Sequence, residues 1–378
     1  MQTIKLGDIA IEAKESNKGD KTGCKIVGLE HLTPSDVTLS SWSEDTNNSF
    51  TKKFAKGDVL FGRRRAYLKK AALAPFDGIC SGDITVIRAK DGKVAPRLLP
   101  FIIQNDFLFE FAVGKSAGSL SPRVKWEHLR NFEISLPNTD KQRELADILW
   151  SINETKQAYL ELIKQTDELV KSQFIEMFYG NERDRLGNYI EQIRGVSYKP
   201  KDLKDTTEGA YTLLRANNIS NGVLNQEDVQ YVINTKVSEK QLIKEDDLLM
   251  CASSGSLEHV GKIALCTSEY YGMTFGAFCK LLRSLGILSA QYLSIYFRTD
   301  EYRNIISGLA CGSNINNLRN EHVDELMIPI PTEEQELQII ELVRQCDKSK
   351  FELQDAIDNL DALSKKIIAE NLIAAGKE

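Results

Sequence analysis

Five cations and a tyrosine crowd one nine-residue stretch, Gly62-Arg63-Arg64-Arg65-Ala66-Tyr67-Leu68-Lys69-Lys70. Guanidinium and ammonium groups bind phosphate, and an arginine fork also matches O6 and N7 of guanine. A solvated loop has the same composition, so the run is a candidate only. At the same place in the second half stands Cys251-Ala252-Ser253-Ser254-Gly255-Ser256-Leu257, followed by Lys262. Small residues there suit close backbone approach to phosphate or base edges. A second pair of loops reads Gly118-Ser119-Leu120-Ser121-Pro122-Arg123-Val124-Lys125 and Gly312-Ser313-Asn314-Ile315-Asn316-Asn317-Leu318-Arg319. Asparagine is a bidentate reader of adenine. The matched cations Lys125 and Arg319 suit phosphate anchoring, which leaves the unmatched residues to read bases. The expected nucleic-acid contacts are therefore Arg63, Arg64, Arg65, Tyr67, Lys69, Ser119, Arg123 and Lys125 in the first half. In the second they are Asn217, Asn218, Ser253, Ser254, Ser256, Lys262, Ser313, Asn314, Asn316, Asn317 and Arg319.

Catalytic constellations do not emerge. No two glycines stand two apart, so the Gly-x-Gly loop of a nucleotide or methyl-donor site is missing. Gly261-Lys262 is followed by Ile263, which rules out a Walker-type loop, and no Pro-Pro pair exists. The four histidines (His31, His128, His259 and His322) lie far from one another and from any C-x-x-C, so no zinc site is expected. Glu127-His128 and Glu321-His322 read better as packed polar turns than as acid–base pairs. Glu12-Ala13-Lys14 matches a nuclease fragment that is common by chance.

The elements that would position these loops occur twice. Lys5-Leu6-Gly7-Asp8-Ile9 is echoed by Arg185-Leu186-Gly187-Asn188-Tyr189, and Lys56-Gly57-Asp58-Val59-Leu60-Phe61 by Glu245-Asp246-Asp247-Leu248-Leu249-Met250. Strand-like Asp83 to Ile87 pairs in order with Phe275 to Leu282, and one helical stretch follows in each half, about 97–113 and 290–309. The closing matches are the most regular: Glu127-His128 with Glu321-His322, Ile134 with Ile328, and Pro137 with Pro331, all 194 apart. Many short strands, few helices and no βαβ alternation give an α+β class.

Each block then leads into a Gly- and Pro-free run rich in helix formers. Leu149, Ile152, Lys156, Tyr159, Ile163, Thr166, Val170, Gln173 and Met177 form a heptad seam in the first run. The same offset of 194 gives a second seam from Val343 through Lys350 and Ile357 to Asn371. The domains are expected at 1–139 and 181–332, with long helices at 140–180 and 333–378. The seam lysines Lys156 and Lys350 are expected to snorkel at the helix edge more than to set register.

Composition bounds the answer further. Apolar residues make up 42% and charged residues 27% of 378, as in soluble globular proteins. Net charge is −6, yet residues 1–139 hold 21 Lys+Arg against 16 Asp+Glu, while 332–378 hold 6 against 11. Local patches, and not the total, govern phosphate binding. Seven scattered cysteines and a charged N-terminal stretch lead to an expectation of reduced thiols and a cytoplasmic protein.

The arrangement resembles the specificity subunit of type I restriction–modification systems. Two divergent blocks each close on a strand ending in proline (Ile134-Ser135-Leu136-Pro137 and Ile328-Pro329-Ile330-Pro331), and each continues into a Gln-containing helix start (Lys141-Gln142-Arg143 and Glu334-Gln335-Glu336). The first block departs from the pattern in carrying Arg63–Arg65 where a Ser/Gly-rich loop is usual. The resemblance implies two target recognition domains, each reading half of a bipartite double-stranded DNA site, separated by two antiparallel helices in a coiled coil with an internal pseudo-two-fold repeat. It implies no catalysis and no cofactor in this chain. Two modification subunits using S-adenosylmethionine to methylate adenine, and restriction subunits using ATP and Mg, would be the partners. The alternative is a protein-binding scaffold with duplicated domains.

Overall fold

A computed structural model of the chain describes residues 2–118, 120–220, 222–310 and 316–373. Two compact units result, Met1–Glu161 with Leu353–Glu378, and Leu162–Glu352.

In the first unit, strands Gln2–Lys5 and Glu133–Leu136 pair antiparallel and tie the two ends of the block together. A four-stranded antiparallel sheet runs Ala10–Glu12, Ile84–Ala89, Val59–Gly62, Ala71–Leu73. A three-stranded sheet of Lys25–Val27, Gly78–Cys80 and Lys52–Phe54 stands beside it. Val59-Leu60-Phe61 is apolar throughout because both faces of its strand are covered. Val59 and Phe61 enter one core cluster while Leu60 enters another, as a two-residue side-chain period requires.

The second unit repeats this plan. Arg183–Arg185 pairs with Met327–Pro329, and the main sheet runs Ile190–Arg194, Cys279–Ser284, Asp247–Cys251, Ile263–Leu265. Leu248 and Met250 face one cluster, Leu249 and Cys251 the other. Additional length falls where loops accept it. The smaller sheet differs: it has four strands in the order Leu203–Lys204, Gln230–Ile233, Ala210–Leu214, Thr274–Phe275, whereas Gly78–Cys80 is central in the three-stranded sheet of the first unit.

Both units share an ion pair under the main sheet. Arg88 grips Asp58 through Nε and Nη2, each at 2.7 Å, and Arg283 grips Asp247 at 2.7 and 2.8 Å. Each carboxylate also accepts a backbone N–H, from Ala55 and Lys244 respectively. Asp58 and Asp247 are recognisable in sequence as matching turn residues. Their arginines are not, because the strands carrying them follow loops of different length.

Each expected helical stretch is broken in two. Leu99–Ile103 and Asp106–Gly114 form the first pair, Ala290–Tyr296 and Asp300–Ala310 the second. Asn105 causes the first break: its Oδ1 accepts from the Leu108 amide and restarts the helix as an N-cap. The Thr299 hydroxyl does the same for the Tyr302 amide.

The long helices span Thr139–Phe178 and Glu333–Leu372. Near its start each is hooked to its own block, Gln142 accepting from the Ala95 amide and Glu336 from the Ser289 amide. In the first unit Lys156 pairs with Asp361 at 2.8 Å, and in the second Lys350 pairs with Asp167 at 2.7 Å. The repeat offset that carries Lys156 to Lys350 also carries Asp167 to Asp361. The snorkelling expectation is thus corrected: each seam lysine is paired across to the other helix, in an antiparallel register. The seam itself drifts. Phe174 and Phe178 are buried where Gln173 and Met177 were expected, and Ile368 and Leu372 where Ile367 and Asn371 were. A 3.6-residue turn slips against a strict heptad, and these ends pack on the globular cores as well as on a helix.

Candidate nucleic-acid interface

The two loops singled out in each half meet each other in space. In the first unit Arg64 bridges Arg123 in antiparallel fashion, while the Arg65 amide donates to the Pro122 carbonyl at 2.8 Å. In the second, Ser253–Ser254 pairs with Asn316–Asn317, placing Ser253 opposite Asn317. Main-strand register equates Gly62 with Cys251, so Arg64 and Ser253 occupy the same rung, and the closing-loop offset equates Arg123 with Asn317.

Charge in the first unit is arranged around Asp83. Arg123 donates to both of its oxygens, from Nε at 2.7 Å and Nη2 at 3.3 Å, and Arg64 Nη1 lies 3.5 Å away. Arg64 Nη2 also donates to Ser121 Oγ at 3.0 Å. The Arg123 hydrogen bond is the first reason the Asp83 carboxyl is held below its usual range; the charges of Arg123, Arg64 and Arg63 add to it. Arg63 is half-buried and its main chain ties the loop to Asp83 and Val124. Arg65 is exposed in the left-handed region (φ 55°), so its guanidinium projects from a fixed bend. Tyr67, in the 3-10 turn Ala66–Leu68, is 54% exposed. Lys125, exposed, precedes the helix Trp126–Leu129. The Lys69 ammonium bonds Asp106 at 2.5 Å, and Lys365 pairs with the same carboxylate.

The second unit holds an open cleft of about 690 Å³ lined by Asn217, Ser253, Ser254, Tyr198, Arg215 and Phe278 among others. Asn217 is exposed there, but Asn218 is fully buried and has to be withdrawn from the interface. Its amide accepts from the Arg215 amide and donates to the Glu227 carbonyl, holding the turn together. Ser256 is exposed, its amide donating to Ser254 Oγ. Lys262 Nζ lies 3.0 Å from His259 Nδ1, and Arg319 donates to His322 Nε2. Ser119, Ser313 and Asn314 lie outside the described residues, and Asn316 is described by its backbone only.

Sequence reading missed three members of this cleft. Tyr198 and Arg215 precede the asparagine turn without any motif. Phe278, 70% exposed, sits between apolar strands and reads there as core. It also missed Lys280, buried on the rung opposite Met250, whose ammonium donates to Gln192 Oε1, the Leu318 carbonyl and Asn320 Oδ1. Burial pushes this lysine down to about 8, against the pull of Asp324 and Glu321. It holds the returning end of the second loop from below. Among the described residues no cluster of His, Cys, Asp or Glu could hold a metal, and no helix is long and apolar enough to cross a membrane.

Residues 1–166 match the family model of the type I restriction modification DNA specificity domain. The chain is similar to the type I restriction enzyme StySPI specificity subunit of Salmonella potsdam, at 35% identity over 182 residues, 47% of this chain and 39% of that one. It also resembles the EcoKI specificity subunit of Escherichia coli K12, with 38% identity over 140 residues, 37% of this chain and 30% of that one. The matches thus span two fifths or less of these relatives' own length. Fold likeness to specificity subunits extends further. The type I system S subunit from M. genitalium aligns over 97% of this chain and 95% of its own, with TM-score 0.55 at 14% identity. A chain from a structure on type I R-M complex assembly and conformational transition aligns over 98% and 97%, with TM-score 0.54 at 19% identity.

Proposed function

We propose that this chain is the DNA-recognition subunit of a type I restriction–modification complex, without catalysis of its own. Regions 1–139 and 181–332 act as target recognition domains that each read half of a bipartite duplex site. The long helices, 140–180 and 333–378, fix the spacing between them. The observation that carries this reading is the repeated rung: the same two loops pair in both units, but with Arg64 and Arg123 in one and Ser253 and Asn317 in the other. A shared frame that presents different hydrogen-bonding groups suits recognition of two different half-sites by base edges. Arg65, Lys125, Lys262 and Arg319 are assigned to the sugar–phosphate backbone, where they fix position and carry no sequence information. Modification subunits using S-adenosylmethionine, and restriction subunits using ATP and Mg, would supply the chemistry, with the complex residing in the cytoplasm.

Binding of the purified full chain to mixed-sequence duplex tests this reading. Affinity should fall steeply as salt rises from 50 to 200 mM, because every neutralised phosphate releases counterions. A protein scaffold with duplicated domains would show no such slope. Methyl transfer by the chain alone would overturn the non-catalytic assignment.

A further inference from the structure

Asp83 presents an uncommon arrangement for a surface carboxylate: two arginines of the first rung converge on it, and neither is buried. Arg123 gives Asp83 the edge formed by Nε and Nη2. Among the described residues the opposite end of its guanidinium, with the outer hydrogens of Nη1 and Nη2, has only a long 3.5 Å contact to the Ser121 carbonyl. The side chain is 41% exposed. A planar fork with one edge fixed by a carboxylate and the other facing solvent is pre-organised to receive a second pair of acceptors. Arg64, bonded to Ser121 and near Asp83, closes the other side of the carboxylate and adds a second positive charge.

In the second unit the rung equivalent to Arg123 is Asn317, opposite Ser253, and among the described residues no carboxylate-held guanidinium is found on it. The two units therefore offer different donor patterns at one position of a common frame. An arginine fork is complementary to guanine O6 and N7 in the major groove, whereas an asparagine amide is complementary to adenine N6 and N7.

Building on the DNA-recognition reading above, we infer that Arg123, aligned by Asp83, reads a guanine in the half-site of the first unit. Asp83 is a positioning residue: it touches no base but fixes the plane and rotation of the fork. Losing that carboxylate has a sign that simple damage would not give. Asp83→Asn removes a negative charge from the interface, so affinity for mixed-sequence DNA should hold or rise while base selection falls.

The test is selection of a random-sequence duplex library by the full chain, wild type against Asp83→Asn, Arg123→Lys and Arg123→Ala, with thermal unfolding recorded for each. Wild type is expected to enrich two half-sites, one holding a guanine that Arg123→Ala and Asp83→Asn lose, with discrimination at that base pair falling roughly tenfold or more. Arg123→Lys keeps the charge but not the fork. It should retain overall affinity and lose the same base. The inference is overturned if wild type selects a bipartite site and these variants select it unchanged, or if they weaken all sequences equally. An unselected wild-type library would instead remove the DNA-recognition reading on which the inference rests.

Discussion

Replacing Asp247 by alanine should cost the second unit about 3–5 kcal/mol, the range for breaking a buried ion pair on one side. Asp247 has no exposed surface, and its carboxylate receives two bonds from Arg283 and one from the Lys244 amide. Without it, a guanidinium on the central strands of the sheet keeps, among the described residues, the Leu242 carbonyl as a partner in place of a carboxylate. The matched substitution Asp58→Ala should cost less, because Arg88 also holds Glu15 at 2.7 Å and retains that partner. Urea unfolding of the full chain, followed by a probe in each unit, separates the two effects; a single two-state fit would not. Asp247→Ala with Arg283→Met should be more stable than Asp247→Ala alone by at least about 1 kcal/mol, since no unpaired charge is then left buried. A cost under about 1 kcal/mol for Asp247→Ala, or no recovery in the double variant, would refute the view that this pair is a shared keystone of both units.

Lys280→Met should change how stability depends on pH. The native lysine loses its proton near 8 while the unfolded one keeps it to about 10.5, so wild-type stability relative to the variant should climb between those values, by roughly 3 kcal/mol in all. Buried thiols at Cys266 and Cys279 act in the opposite direction above pH 9, which makes the difference between the two proteins the quantity to measure. Lys156→Glu should cost about 1 kcal/mol by facing Asp361 with a like charge, and adding Asp361→Lys should restore most of it in the same unfolding assay. Four residues inserted after Glu154 and four after Ala362 keep the Lys156–Asp361 register and lengthen each helix by about 6 Å. Target selection should then return the same half-sites with a spacer changed by roughly two base pairs; altered half-site bases would contradict the spacer role.

Periodicity made the long helices legible, and matched turn residues made the duplicated blocks legible. Those features are local: a heptad pattern, a Gly-Asp or Asp-Asp turn before a strand, a proline closing a strand. The pairing of the two candidate loops was not legible, because Arg64 and Arg123, or Ser253 and Asn317, come together only through the sheet register. Asparagine also misled. Asn217 and Asn218 are neighbours of the same type, yet one lines the cleft and the other is locked inside its turn. Side-chain type gives the possible bonds, and burial decides which of them are already made. Lys69 illustrates the same point for charge, since nothing near it in sequence announces Asp106 and Lys365. Phe278 was hidden for the opposite reason: an apolar residue among strands reads as core even when its ring faces solvent.

Mapping methylated adenine across the genome of cells that carry this gene, with and without the gene, tests two-part recognition most directly. The expected result is the loss of one bipartite motif, two short defined sequences separated by a fixed run of undefined bases, when the gene is removed. Loss of a single contiguous motif, or of none, would contradict it.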